Sequence, residues 1–573
     1  MRNPSDNESG PHIDAAEALA PEAELIARLD PVLLSNAFAQ VAEGLAKHPE
    51  AALDAGRRGM TGLLKVAAAT AARALGAQAA GPLDPPKGDK RFKDPAWQDN
   101  PAFFGLQQAY LLWSRTLNDL VDAAGLDKQP KQKADFGVQL IVDALAPTNL
   151  LVTNPDALKK ALDTGGGSLL RGLRNFLDDL ANNNGRPRQV DTSPFEKGKN
   201  IAATPGKVVF RNRLMELIQY EPQTDEVYEI PLLCSPPWIN KYYIMDLAPD
   251  RSFIEWAVKH GHTVFAISYR NPDESMRDIR LDDYLISGPR TAIDVIRDIT
   301  GADKVNIVGL CLGGTLTIIM LAYLDAVGDD LVNAVTLLNT LIDYSEPGPL
   351  GAFTDPATVA AVERRMGKTG YLKETELQGT FNLLRGNDLI WNYVVNNWLK
   401  GEDPPAFDIL AWNYDSTRMP ADMHSFYLRS CYLRNELAQG DMEISGITLD
   451  LEKVDQDIFI VGAQNDHIAP WKSSYKTTNL VSGEVEFVLT SAGHIAGIVN
   501  PPNPKSRYWL SDEDRNPDAE SWLANATEHE GSWWHHWAEW MSTRAGSRRP
   551  PPAMGSDRHQ PIADAPGTYI EES

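Results

Sequence analysis

The spacing of apolar and polar positions changes character along the chain. Between Pro101 and Asn182 apolar residues recur every three or four positions, which predicts helices over 102–124, 136–144, 155–164 and 168–180. Pro147, Pro155, the run Gly165-Gly166-Gly167 and Asn182-Asn183-Asn184-Gly185 separate them, as residues that end helices and turn the chain should. From Gly206 the rhythm shortens. Residues 207–210 and 214–220 read as a hairpin across Arg211-Asn212-Arg213, followed by a strand at 230–234, a helix at 252–259, a strand at 263–268 and a helix at 288–300. A strand at 305–308, a helix at 315–327 and a strand at 334–338 continue the series. Strands alternating with helices imply a parallel sheet covered on both faces.

The alternation stops over 343–445, where Trp391, Tyr393, Trp398, Phe407, Trp412, Tyr414, Phe426, Tyr427 and Tyr432 cluster among helical stretches. An insertion between two halves of the sheet fits, and insertions above strand ends commonly act as lids. Most of these aromatics read as the lid's own core. Strand, helix and strand resume at 457–462, 472–480 and 485–489, and a Trp-rich helix follows at 531–540. At the other end, Ala-rich patches at 24–46 and 59–75 predict loose helices before a linker of Gly81, Pro82, Pro85, Pro86 and Gly88. The resulting divisions are a variable segment at 1–90, a helical domain at 91–205, sheet-domain halves at 206–342 and 446–547 flanking the lid at 343–445, and a flexible tail at 548–573.

Apolar residues make up 43% of the 573, ample for a sizeable core. A formal net charge of -24, with no basic stripe, excludes nucleic acid and a simple electrostatic membrane role. Cysteine occurs only at 234, 311 and 431, which supports neither a disulfide framework nor a Cys-rich metal site and suits a reducing cytosol. Met1-Arg2-Asn3-Pro4-Ser5-Asp6-Asn7-Glu8 has acids and no apolar core, so it reads as no secretion signal. The uncharged run 305–324 has the length of a membrane span, but three mid-run glycines and Asn306, Thr315 and Thr317 argue against one.

That same run carries the candidate chemistry. Gly309-Leu310-Cys311-Leu312-Gly313-Gly314 lies between strand and helix, a nucleophile-elbow pattern with Cys in place of Ser. A lone Cys is more often a buried small apolar residue, and the glycines at this spacing tip the balance to a nucleophile. Such a thiol needs a base and an orienting carboxylate. Asp466 follows the strand ending at Gly462, His494 follows the next strand, and the chain order Cys, Asp, His is that of the α/β-hydrolase fold. Asp466 could also cap a helix before Trp471, and His467 reads as a supporting residue. For an oxyanion hole, the backbone N–H of Leu312 is one candidate donor. The loop Ser235-Pro236-Pro237-Trp238-Ile239-Asn240 supplies the other, Trp238 in preference to Ile239, because proline has no N–H.

These motifs, with Pro236-Pro237-Trp238-Ile239-Asn240-Lys241-Tyr242-Tyr243, Asn387-Asp388-Leu389-Ile390-Trp391-Asn392-Tyr393, Asn465-Asp466-His467-Ile468-Ala469-Pro470-Trp471 and Ser491-Ala492-Gly493-His494-Ile495, resemble the polyhydroxyalkanoate synthases from about Arg91 to Trp540. The chain is similar to the single-subunit types. Phe426-Tyr427-Leu428-Arg429 resembles the short-chain type and Ala565-Pro566-Gly567-Thr568-Tyr569 the medium-chain type. The resemblance implies an α/β-hydrolase fold with an inserted lid behind a helical N-terminal domain. It also implies polymerisation of (R)-3-hydroxyacyl-CoA, with 3-hydroxybutyryl-CoA as the expected monomer, into a polyester, without a cofactor and with CoA as leaving group. Cys311, Asp466 and His494 would be the catalytic set. A homodimer in the cytoplasm at the surface of its polymer granule is implied as well. A Cys-dependent thioesterase or esterase, or a non-catalytic granule-surface protein, are the alternatives.

Overall fold

The computed structural model describes residues 31–512 and 515–572. Residues 1–30, which hold the first eight residues and the start of the patch expected at 24–46, lie outside them. By contact the chain forms two compact units, one of the residues up to Asp191 together with Gly379–Pro405, the other of Thr192–Gln378 together with the residues from Ala406.

The first unit is helical, over Pro31–Lys47, Pro49–Ala74, Pro101–Ala123, Lys128–Ala144, Pro155–Asp163 and Gly167–Asn182. Local chemistry sets the starts: the Asn100 side chain accepts from the amides of Ala102 and Phe103, and Asn154 from Ala157, each just before a proline in the first turn. The Ala-rich stretch expected to be loose is a 26-residue helix packed on Pro101–Ala123, where small side chains allow close approach. Trp97, Tyr110, Val121, Ala134 and Val138 form the unit's core. Gly379–Pro405 falls within the 343–445 insertion of the sequence reading, yet its apolar side chains are buried among these helices. Trp398 donates its indole N–H to Asp179 at 2.8 Å and meets Phe176 edge-on at 5.0 Å, while Leu383 and Ile390 pack on Leu140.

The second unit is built on a sheet of eleven strands. In chain order these are β1 (Gly206–Arg211), β2 (Met215–Tyr220), β3 (Leu232–Ser235), β4 (Val264–Tyr269), β5 (Val305–Leu310), β6 (Val332–Leu338), β7 (Asp457–Ala463), β8 (Val485–Thr490), β9 (Arg507–Leu510), β10 (Thr527–Glu530) and β11 (Ala563–Asp564). Across the sheet they run β10-β9-β8-β7-β6-β5-β3-β4-β2-β1-β11. The strands from β4 through β3, β5, β6 and β7 to β8 are parallel, and the pairs at both ends are antiparallel. Burial on both faces explains why β4 and β5 read as continuous apolar runs rather than alternating ones. Register aligns the carboxyl ends on one rim: Ser235 pairs with Gly309, Leu310 with Leu338, Leu338 with Val461, and Ala463 with Thr490. Every candidate site residue follows one of these ends.

Residues 305–324, long enough to span a bilayer, are thus strand, turn and helix; no helix among the described residues is long and apolar enough to cross a membrane. The Trp-rich helix, Trp533–Ser542, buries Trp533, Trp534, Trp537 and Trp540, and Phe253 packs among the first three. The tail expected to be flexible is docked. β11 pairs with β1, and the buried Glu216 carboxylate accepts from the amides of Thr568 and Tyr569, both at 3.0 Å. The tail's partners include the buried Glu216, a strand edge, and the ion pairs Lys207–Asp564 and Arg270–Glu572, which its Pro-rich composition does not reveal.

Candidate active site

Cys311 stands at the end of β5, directly before the helix Leu312–Val327. Its backbone is at φ 51°, ψ -118°, a strained conformation for a residue with a side chain. Two features hold it there. Its amide donates to Leu338 O at 2.8 Å, and Gly313 lets the helix close onto the loop after β3, where a Cβ would come within 2.0 Å of Ser235 O. The thiol is half-buried, whereas Cys234 and Cys431 are fully enclosed and burial pushes both of their thiols up.

Asp466 follows β7 and His494 follows β8, and the structure brings the two together. Asp466 Oδ2 lies 2.6 Å from His494 Nδ1. Its other oxygen, Oδ1, accepts from the amides of Ile468 and Ala469, each at 2.8 Å. The carboxylate therefore orders its own turn and orients the imidazole, but it does not cap the helix at Trp471, whose preceding residue is Pro470. Burial disfavours a charge on His494. The Asp466 carboxylate beside it, their hydrogen bond and the adjoining Cys311 side chain outweigh that burial, so the ring's pKa is raised to about 10. An imidazole that keeps its proton so firmly is a cation at neutral pH.

The segment after His494 is pinned from below. Trp533 Nε1 donates to Gly497 O at 2.8 Å and Trp534 Nε1 to Ile498 O at 3.0 Å. The Trp-rich helix thus fixes the loop that carries the ring.

Leu312 is the first residue of its helix, so its amide has no partner within that helix. Trp238 is buried in the loop after β3, whose Ser235 and Pro236 carbonyls face Gly313. Its ring lies 5.8 Å from that of Tyr284 and 6.2 Å from that of Tyr427. His467, next to Asp466 in the chain, is half-buried in the turn leading to Pro470.

No motif in the sequence marks Tyr432, Asn339 or Thr340 as site residues. Burial raises the Tyr432 hydroxyl, and Cys311 is near enough to raise it further, which sets this ring beside the nucleophile. Thr340 Oγ1 donates to Cys311 O at 3.3 Å, and Asn339 to His494 O. An Asn directly after a strand is a cue for a left-handed turn, the one available signal for the latter.

Residues 88–257 match the family described as the N-terminus of poly-beta-hydroxybutyrate polymerase (PhaC), and residues 238–501 match the alpha/beta hydrolase fold. The poly(3-hydroxyalkanoate) polymerase of Methylorubrum extorquens is 43% identical over 96% of this chain and 92% of its own length. The chain belongs to the poly(3-hydroxyalkanoate) polymerases. The polymerase subunit PhaC of Cupriavidus necator (43% identity, 86% of this chain, 84% of its own) and polymerase 1 of Ectopseudomonas oleovorans (41%, 86% and 88%) are similar to the same extent. Members of the polymerase family are acyltransferase-type enzymes, and the helical first unit and the hydrolase-fold sheet are the two parts on which the family likeness falls.

Proposed function

We propose that this polymerase joins (R)-3-hydroxyacyl groups, 3-hydroxybutyryl in the first place, from CoA thioesters through a covalent thioester on Cys311. The observation that carries the proposal is the Asp466–His494 pair at 2.6 Å with Cys311 adjoining the ring. The Cys311 thiolate attacks the thioester carbonyl, and the developing oxyanion is met by backbone donors at Leu312 and Trp238. The bond to CoA sulfur breaks and the departing thiolate takes a proton from His494. Neutral His494 then accepts the proton of a 3-hydroxyl group as that oxygen attacks the acyl group held on Cys311; the ester link forms, the bond to Cys311 sulfur breaks, and the thiolate is restored beside a protonated His494. A thiol suits this exchange because the bond broken and the bond made are both thioesters. Enclosure by Trp238, Tyr427 and Tyr432 favours the hydroxyl over water.

We further propose that the enzyme is cytoplasmic, works as a homodimer and sits at the surface of its own polymer. Support for the last comes from Leu162, Leu170, Leu173 and Leu177, all more than half exposed on the two neighbouring helices Pro155–Asp163 and Gly167–Asn182. The deciding assay incubates purified protein with 3-hydroxybutyryl-CoA. CoA release with insoluble polyester is expected, and Cys311→Ala abolishes both; soluble 3-hydroxybutyrate as main product would replace the proposal with thioester hydrolysis.

A further inference from the structure

We infer that Asn339 is a positioning residue, which couples the strand end holding Cys311 to the loop holding His494. This rests on the assignment of Cys311 and His494 above. The corner Leu338-Asn339-Thr340, at the end of β6, bonds to the backbone of Cys311, of His494 and of the strand that leads to Asp466. Leu338 O accepts the Cys311 amide at 2.8 Å and Thr340 Oγ1 donates to Cys311 O at 3.3 Å. The Asn339 amide donates to Val461 O at 2.8 Å, in the strand leading to Asp466, and its Nδ2 donates to His494 O. A carbonyl oxygen only accepts, so the carboxamide nitrogen must be the atom that faces it.

Two features show that Asn339 is there for more than packing. It is fully enclosed, yet its Oδ1 has no partner among the described residues. Its backbone is also left-handed, at φ 45°. A buried acceptor without a donor and a left-handed non-glycine residue both oppose folding, and such costs gather where geometry serves a site. The return is a grip on the main-chain carbonyl of the base itself, from the strand that also receives the nucleophile's amide. Strand β6 thereby fixes the separation of Cys311 and His494 through the backbone, while the Asp466 carboxylate fixes the ring's rotation. Displacing a reacting group by an ångström costs on the order of a hundredfold in rate.

Asn339→Gly separates this role from simple tolerance of a left-handed turn, since glycine adopts that conformation freely while the carboxamide is lost with the side chain. The readout is the rate at which iodoacetamide alkylates Cys311 in the full chain across pH 5–9, with enclosed Cys234 and Cys431 as internal controls. The expected result is a fold of undiminished Tm, with alkylation at neutral pH slowed by about tenfold or more and its pH profile displaced toward that of His494→Gln. Asn339→Asp keeps the shape and sets a carboxylate oxygen against His494 O, and should show the same displacement should the glycine variant fold poorly. An unchanged profile in a folded variant of either kind overturns the inference. Wild-type alkylation that ignores His494→Gln would instead overturn the underlying catalytic assignment, so the two failures are distinguishable.

Discussion

The two oxygens of Asp466 have separate tasks, and substitution can separate them. Oδ2 holds His494, while Oδ1 accepts two backbone amides. Asp466→Asn keeps an oxygen for the amides and sets an NH2 against the ring, so polymerisation should fall by about 10²- to 10⁴-fold with little change in Tm. Asp466→Ala should lose as much activity and also about 1–3 kcal/mol of stability, because Ile468 and Ala469 are left without their acceptor. Activity assays paired with thermal denaturation check both. The His494 ring gives a pH signature. Its folded pKa, about 10, lies above the ordinary 6.5, so its contribution to stability is complete below about 6.5 and is lost as pH rises through about 10. Tm should therefore decline over that interval in the wild type, and more weakly in Asp466→Asn; equal declines would contradict the coupling.

Among the elements, the Trp-rich helix Trp533–Ser542 acts on the site without touching it. Trp533→Phe keeps most of the buried ring and removes the donor to Gly497 O, three residues past His494. We expect a loss of about 1–3 kcal/mol, measured by thermal denaturation, with a polymerisation rate that falls further than Trp537→Phe causes. Trp537 donates to Thr336 Oγ1 at 2.9 Å, inside β6 and away from the base. Equal rates in the two variants would remove the helix from the control of His494. The tail offers a second test. Glu216→Gln replaces an oxygen that accepts from Thr568 and Tyr569 with a donor, and carboxypeptidase should then digest the tail faster.

Taken as a whole molecule, the chain was legible where burial leaves a mark on side chains. β5 reads as a strand because both its faces are covered, and the elbow is visible because only glycine fits against Ser235 O. Asp466 and His494 could be paired from strand order alone. Regions held by backbone groups or exposed surfaces left no such mark. β9 is partly buried at every position and β10 is mostly exposed, so neither shows an apolar alternation. Asn339 acts on a main-chain carbonyl, and the tail docks in part through its own amides. The sharing of the insertion, with Gly379–Pro405 buried among helices far away in sequence, depends on tertiary partners such as Asp179 that no local pattern announces.

The pairing of β11 with β1 has a consequence for synthesis. Lys207 on β1 and its partner Asp564 are 357 residues apart. At ordinary translation speeds β1 emerges roughly 20–70 s before the strand that covers it. Throughout that interval the nascent chain presents an unpaired edge, open to any neighbouring extended segment. Polysomes making this enzyme therefore hold a row of identical unfinished edges, and a holdase bound at β1 or slower initiation should raise the soluble yield more than slower elongation, which only prolongs the exposure.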